Sequence, residues 1–256
     1  MGSSHGVVLF CLAILCAAAV DAAGIEDIIL QRHGWEHAHA TFYGTPDGLG
    51  MGGACGYRNP FEKGYGQETT ALSTALFNDG AACGACFEIV CINNPQWCRP
   101  GVIRVTATNF CPPDYSKSQD IWCNPPQKHF DLSLSMFLRI AEYKAGIVPV
   151  VYRRAKCWKR GGVKFEMGGN MYWTLVLVHN VGGAGDVVSV RVKSSSSSWT
   201  QMIRNWGQNW QTFEDLHGRS LSFEVTTSDG LMVQEIDVVP NDWQIGMSYE
   251  GRRNFG

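Results

Sequence analysis

The sequence predicts a mainly β protein in two parts, a disulfide-stapled first part and a small all-β second part. The cysteines carry the first half of that prediction. Of ten cysteines, Cys11 and Cys16 fall in an apolar leader. Cys55, Cys83, Cys86, Cys91, Cys98, Cys111, Cys123 and Cys157 remain, an even set that reads as disulfides in an exported chain. The second half is the stretch after residue 163, where strand-like runs alternate with turn signals at the spacing of an immunoglobulin-like β-sandwich.

The leader comes first. Val7 to Val20 is an unbroken apolar run, and Val20-Asp21-Ala22-Ala23 fits signal-peptide cleavage near Ala22. The run is too short to cross a bilayer, and no later stretch approaches a membrane span. The mature chain is therefore expected to be secreted, extracellular and soluble. The expected organisation is a signal peptide over 1–23, a first domain over 24–157, a linker over 158–162 and a sandwich over 163–256. With 21 basic and 23 acidic residues, no net field draws the protein to nucleic acid or to a membrane surface.

From Trp35 the chain alternates. Glu36, Ala38, Ala40 and Phe42 belong on one strand face, and His37, His39, Thr41 and Tyr43 on the other. His37 and His39 could share a metal, but no third ligand is identifiable, and a solvated or hydrogen-bonded strand face accounts for them. Thr41 and Tyr43 put a hydroxyl and a phenol on one edge, which suits sugar hydroxyls. The Gly-rich stretch from Gly44 to Gly66 lacks the helix and Lys-Ser/Thr of a phosphate loop and reads as a surface loop pinned by Cys55. Cys83-Gly-Ala-Cys86 could be a redox or zinc pair, but no second such pair follows it. Thr70 to Phe77 reads as a turn-rich connection, and strands are expected around Phe87 to Cys91, over Val102 to Thr108 and over Val148 to Tyr152.

Pro125 and Pro126 forbid helix where they stand. Ser133 is a candidate N-cap, and Leu134, Phe137, Leu138 and Ala141 form the apolar stripe of a short helix. Asp131 would sit just outside it, either as a helix-start anchor or as an acid at the lip of a groove. Six basic residues between Arg153 and Lys164 mark the interdomain connection, as a solvated face or as a contact for an acidic polysaccharide. The second part then reads as strands over Lys164 to Met167, Tyr172 to His179, Val187 to Lys193, Leu221 to Thr227 and Leu231 to Val238. Its tryptophans, Trp173, Trp199, Trp206, Trp210 and Trp243, exceed what one sandwich core needs. Exposed rings can stack on the C–H faces of pyranoses. Tyr172 and Trp173 are expected on opposite strand faces.

The motifs G-G-A-C-G-Y at 52–57, C-G-A-C-F-E-I at 83–89, T-A-T-N-F-C-P-P at 106–113, H-F-D at 129–131 and R-N-W-G-Q-N-W-Q at 204–211 closely resemble plant α-expansins over essentially the whole mature chain. The resemblance implies a six-stranded double-psi β-barrel with short helices, like family-45 glycoside hydrolases, followed by a sandwich like grass pollen allergens. It implies a groove acid at Asp131, with Thr41, Tyr43 and His129 lining the same groove, and a flat cellulose-binding platform of Tyr172, Trp173 and Trp206. Family pairing joins Cys55 to Cys83, Cys86 to Cys157 and Cys91 to Cys98, and leaves Cys111 with Cys123.

The implied function is noncovalent loosening of the cell wall without hydrolysis, favoured at acidic pH. The protein would act as a monomer on cellulose and on matrix polysaccharides such as xyloglucan, with no cofactor or metal. The related cellulases need two carboxylates, and neither A-T-F-Y-G nor Ala107 supplies the second. Asp114, where α-expansins commonly carry Asn, and Asp47 are the candidates that keep an endo-β-1,4-glucanase open as an alternative. A passive wall glycan-binding protein is the other. Arg58 stands where the family usually has Gly.

Overall fold

A computed structural model describes residues 33–45, 53–119, 121–170 and 172–256. The expected signal peptide with Cys11 and Cys16, and Asp47, lie outside the described residues. The first six strands are β1 (Glu36–Tyr43), β2 (Thr69–Leu72), β3 (Cys86–Cys91), β4 (Ile103–Phe110), β5 (His129–Ser133) and β6 (Val148–Ala155). They close into a barrel in the order β1-β5-β2-β4-β3-β6. The alternation expected from Trp35 onward sets β1: Ala38 and Ala40 are buried in the barrel core, and Phe42 packs against it. Two barrel strands run through stretches read above as connection and pre-helix loop. Thr69–Leu72 is buried at all four positions, so it has no polar alternation to reveal it, and Asp131 lies inside β5 rather than beside a helix.

The expected helix follows at once, as α2 (Leu134–Ile140), with a shorter α1 at Thr74–Phe77. Ser133 stands at the N-cap position of α2 but makes no capping bond; its hydroxyl donates instead to the Gln67 carbonyl at 2.5 Å. The buried side of α2 is Leu134, Met136, Phe137 and Ile140, so Leu138 sits at the margin of the expected stripe and Ala141 ends the helix in extended backbone. Four disulfides form, Cys55–Cys83, Cys86–Cys157, Cys91–Cys98 and Cys111–Cys123.

The remaining strands make two sheets. One holds β9 (Val187–Ser194), β10 (Thr200–Gln201), β13 (Leu221–Thr227) and β14 (Met232–Val239) in the order β10-β9-β13-β14. The other holds β7 (Lys164–Asn170), β8 (Trp173–His179), β11 (Ile203–Trp206), β12 (Asn209–Thr212) and β15 (Ser248–Glu250) in the order β11-β12-β8-β7-β15. Phe165 and Phe223 stack across the sandwich core with centroids 4.5 Å apart. Trp210 and Trp243 belong to that core.

Over its described part the Gly-rich stretch is a turn-rich segment pinned by Cys55–Cys83, with Arg58, Asn59, Phe61 and Glu62 exposed, and it also forms the seam between barrel and sandwich. Tyr57 and Tyr65 are 2% and 5% exposed. Gly207 adopts φ 51°, and a Cβ there would stand 2.5 Å from the Cys55 carbonyl oxygen, so the two backbones could not approach with a larger residue. Gln208 extends the seam by donating to the Cys83 carbonyl at 2.6 Å. Glu166 on β7, its side chain 6% exposed, pairs with Lys63 and lies 3.5 Å from Arg58. Removing Lys63 would leave this buried carboxylate only the exposed Arg58 as a partner, a loss of up to about 3 kcal/mol. Arg58 itself has φ 56°, a left-handed conformation that explains why Gly is usual at that place in the motif.

Candidate functional site

Phe130 and Leu132 fill the barrel core, so strand alternation turns His129 and Asp131 to the other face of β5. Parallel pairing with β1 sets His39 beside His129 and Thr41 beside Asp131. Thr41 Oγ1 donates to Asp131 Oδ1 at 2.8 Å and lies 2.8 Å from His129 Nε2. A hydroxyl has one proton to give and an ionised carboxylate can only accept, so His129 Nε2–H must donate to Thr41. His129 Nδ1, sealed from solvent without a partner, then carries the lone pair. The strand backbone is fixed as well: Thr70 Oγ1 donates to the Asp131 carbonyl at 3.0 Å, and the His129 amide donates to Ser73 Oγ at 3.1 Å.

These bonds leave Asp131 Oδ2 without a hydrogen-bond partner among the described residues, yet not sealed from solvent. Burial raises the pKa of Asp131, and the Thr41 bond opposes that rise. His129 is pushed down to about 4, first by burial and then by the neighbouring His39. The site therefore holds a neutral imidazole beside a carboxyl that is easily protonated.

Thr41 and His129 open onto a cavity of about 550 Å³ that Trp122, Asp114 and Asn124 also line. Trp122 packs its ring 4.7 Å from that of His39 and 6.5 Å from that of His129. Asp114 accepts from the Ser116 amide and hydroxyl at 3.0 and 2.6 Å, and lies 3.2 Å from Lys117. The Ser116 bonds, then Lys117, hold its pKa below the ordinary value. Tyr43, two residues beyond Thr41, is half-buried; its hydroxyl is sealed from solvent and makes no hydrogen bond. Thr69, Thr108 and Asn109 surround that hydroxyl, and burial raises its pKa.

Of the predicted aromatics, Trp173 and Trp206 lie on strands of the five-stranded sheet and Tyr172 in the turn before β8. Tyr172 is 78% exposed and Trp206 48%, and Trp173 is half-buried. The expectation that Tyr172 and Trp173 point to opposite strand faces fails because β8 begins at Trp173. Tyr172 instead belongs to a turn in which its amide donates to Asn170 Oδ1 at 2.8 Å. Trp206 pairs with Asn209, which pairs with Leu177 on β8. Trp173 and Trp206 are thus four residues apart along the strands and two strands apart across the sheet, on the order of 16 Å. Trp206 also reaches the seam: a Cβ on Gly56 would lie 3.4 Å from its indole nitrogen. Two residues earlier, the Ala54 amide donates to Asn109 Oδ1 at 3.0 Å, beside Tyr43.

A family model described as Expansin C-terminal domain matches residues 163–240, and a double-psi barrel model described as Lytic transglycolase matches residues 69–152. Expansin-A23 of Arabidopsis thaliana is 58% identical over 92% of this chain and 88% of its own length. Expansin-A22 of the same plant is 54% identical over 100% of this chain and 92% of its own. The chain belongs to the expansin family. Its fold is also that of an expansin from Clavibacter michiganensis, at a TM-score of 0.65 and 20% identity over 84% of this chain and 95% of that one. A mutant of that bacterial expansin, solved in complex with cellohexaose, matches at 0.64 and 19% over 86% and 97%.

Expansins are cell-wall-loosening proteins, and in this one the predicted groove residues Thr41, His129 and Asp131 meet directly. Tyr172, Trp173 and Trp206 form a separate surface on the sandwich. Sequence reading missed Trp122, whose contact with the rings of His39 and His129 needs the turn before β5, and Asn109, which links the groove to the seam. Phe213, 70% exposed just past the end of β12, is a further exposed ring on the sandwich that the sequence reading did not single out.

Proposed function

We propose that this expansin, exported to the wall, binds cellulose and matrix glucans such as xyloglucan through both domains and separates their noncovalent contacts without cutting them. The observation that carries the reading is the pinned Asp131. Thr41 holds Oδ1 as an acceptor, so a proton taken up by the carboxyl is placed on Oδ2, which has no protein partner. A protonated Oδ2 donates to a glucan oxygen and so competes with a glucan–glucan hydrogen bond; the ionised form can only accept. Loosening should therefore increase as pH falls through the raised pKa of Asp131. Hydrolysis needs a second carboxylate placed across the scissile bond, and the partners of Asp131 are a threonine and, through it, a neutral histidine.

The platform supplies attachment. Trp173 and Trp206 are spaced for several rings of an extended chain. The Gly53–Gly56 segment links Trp206 to the groove, and the cellohexaose complex of the bacterial expansin fits that use of the fold.

One observation favours the endoglucanase as a second reading: Asp114 borders the same cavity as Thr41 and His129. Its bonds to Ser116 and Lys117 argue for a structural carboxylate. The deciding experiment is extension of isolated walls under load by the purified protein, run beside an assay for released reducing sugars. Extension without sugar release supports loosening. Sugar release abolished by both Asp131→Asn and Asp114→Asn would establish the glucanase instead.

A further inference from the structure

The basic run between the domains contributes to a second cavity that the glucan groove does not use. Trp158 and Lys159 line, with Tyr65, Glu68, Cys86 at the start of β3, and Arg104 and Thr106 of β4, a cavity of about 350 Å³. Two cations in this cavity have unused donors. Lys159 Nζ stands 4.0 Å from the centre of the Tyr65 ring, and among the described residues no carboxylate hydrogen-bonds or ion-pairs with it. Arg104 gives Nη2 to Glu88 at 2.6 Å. Its Nη1 has no partner among the described residues, and its Nε is sealed from solvent without an acceptor.

The local charge is in surplus. Glu88 is shared between Arg104 and Arg153, whose Nε donates to it at 2.9 Å, so one carboxylate answers two guanidinium groups. Glu68, the one acid lining the cavity, lies 3.7 Å from Arg139, which offsets its charge. Burial lowers the pKa of Lys159 to about 8 against a smaller opposing pull from Glu68, so the amine is charged throughout the acidic range. Trp158 is 80% exposed with the Arg104 guanidinium 5.5 Å from its ring centre. That is a large apolar face held beside unsatisfied cationic donors, a combination that suits a sugar ring bearing a carboxylate.

We propose that this cavity is a subsite for a uronate residue of an acidic polysaccharide, with the carboxylate received by Lys159 and Arg104 and the pyranose packed on Trp158. It would let the expansin hold an acidic matrix chain while the groove and platform engage neutral glucan. The assignment uses no residue of the groove, so it can fail without that reading failing, and the reverse.

The test is calorimetric titration of the whole mature protein at low ionic strength with a trigalacturonate, its fully methyl-esterified form and cellotriose. Wild type should bind the free acid at least about tenfold more tightly than the ester, since a charge-assisted hydrogen bond contributes that much, and the affinity should fall as salt is added. Lys159→Gln should lose about tenfold, Lys159→Arg should keep most of the affinity, and Asp131→Asn should bind as wild type. Trp158→Ala alters an exposed position with little consequence for folding, and should lose several-fold. Equal binding of acid and ester, or unchanged binding in both Lys159→Gln and Trp158→Ala, would overturn the proposal. So would displacement of the trisaccharide by an equal concentration of sulfate, which would show a site for any small anion with no use of the sugar ring.

Discussion

In the barrel, His129 is 1% exposed and Asp131 is half-buried, whereas on the sandwich Tyr172 and Trp206 stand 78% and 48% exposed. The barrel has withdrawn polar groups from water, and the sandwich has left apolar ones in it. Each is the costly choice for its residue type, and the costs buy different things. A buried carboxyl acquires a shifted pKa and answers to pH. An exposed indole presents the same face at any pH, and its contact with a sugar is set by area. On the reading above, loosening should titrate while attachment should not.

The largest expected effect separates the two regions. Asp131→Asn keeps the shape and an acceptor for Thr41, but it sets a permanent NH2 donor where Oδ2 stood, one that no longer titrates. It should remove the acid dependence of wall extension while leaving binding to crystalline cellulose within about twofold. Extension as large as wild type with the same acid dependence would show that Asp131 only anchors β5.

The second expectation concerns stability. All four disulfides lie in the barrel or tie it to the linker, and the sandwich core has none. Cys86–Cys157 spans 71 residues, a loop whose closure contributes on the order of 2–5 kcal/mol. Under reducing conditions, amide exchange should accelerate in β2, β3 and β4 before it does in β9 and β13. Simultaneous loss of protection would mean that the seam couples the two domains into one cooperative unit.

Third, each platform ring should contribute about 1 kcal/mol to cellulose binding. The double variant Trp173→Ala with Trp206→Ala should therefore bind on the order of tenfold or more weakly, equally at acidic and neutral pH. A folded double variant that binds as before would move the platform, with Phe213 as the next ring to test.

What could be read in the sequence follows from the same contrast. The sandwich strands β7, β8, β9, β13 and β14 alternate or run apolar, and all were visible. The strands β11 and β12 mix Arg, Asn, Gln and Trp without a clean apolar alternation, so they are not among the predicted strands. In the barrel, β2 is buried at every position and shows no period of two, while β5 alternates over only five residues and runs straight into a helix, so it reads as the approach to that helix. The groove residues were legible by family motif, but their contact was not. Thr41 and Asp131 are 90 residues apart and meet only because β1 and β5 pair in parallel, which no local pattern announces.

The smallest effect is also the most specific test of the proton's place. The Thr41 hydrogen bond is the one interaction that lowers the pKa of Asp131 against the rise caused by burial. Thr41→Val keeps the side-chain volume and removes that bond, so the pKa should rise further. The acid limb of the extension profile should then move to higher pH. His129 would lose its acceptor, since its Nε2–H donates to Thr41, and stability should fall by about 1–3 kcal/mol. The maximal extension rate at low pH should survive or drop modestly, because Oδ2 still carries its proton. A profile shifted to lower pH would contradict the direction of donation from Thr41 to Asp131. An unshifted profile would mean that the acid dependence arises elsewhere in the wall or the protein, and that the groove acts through shape without the Asp131 proton.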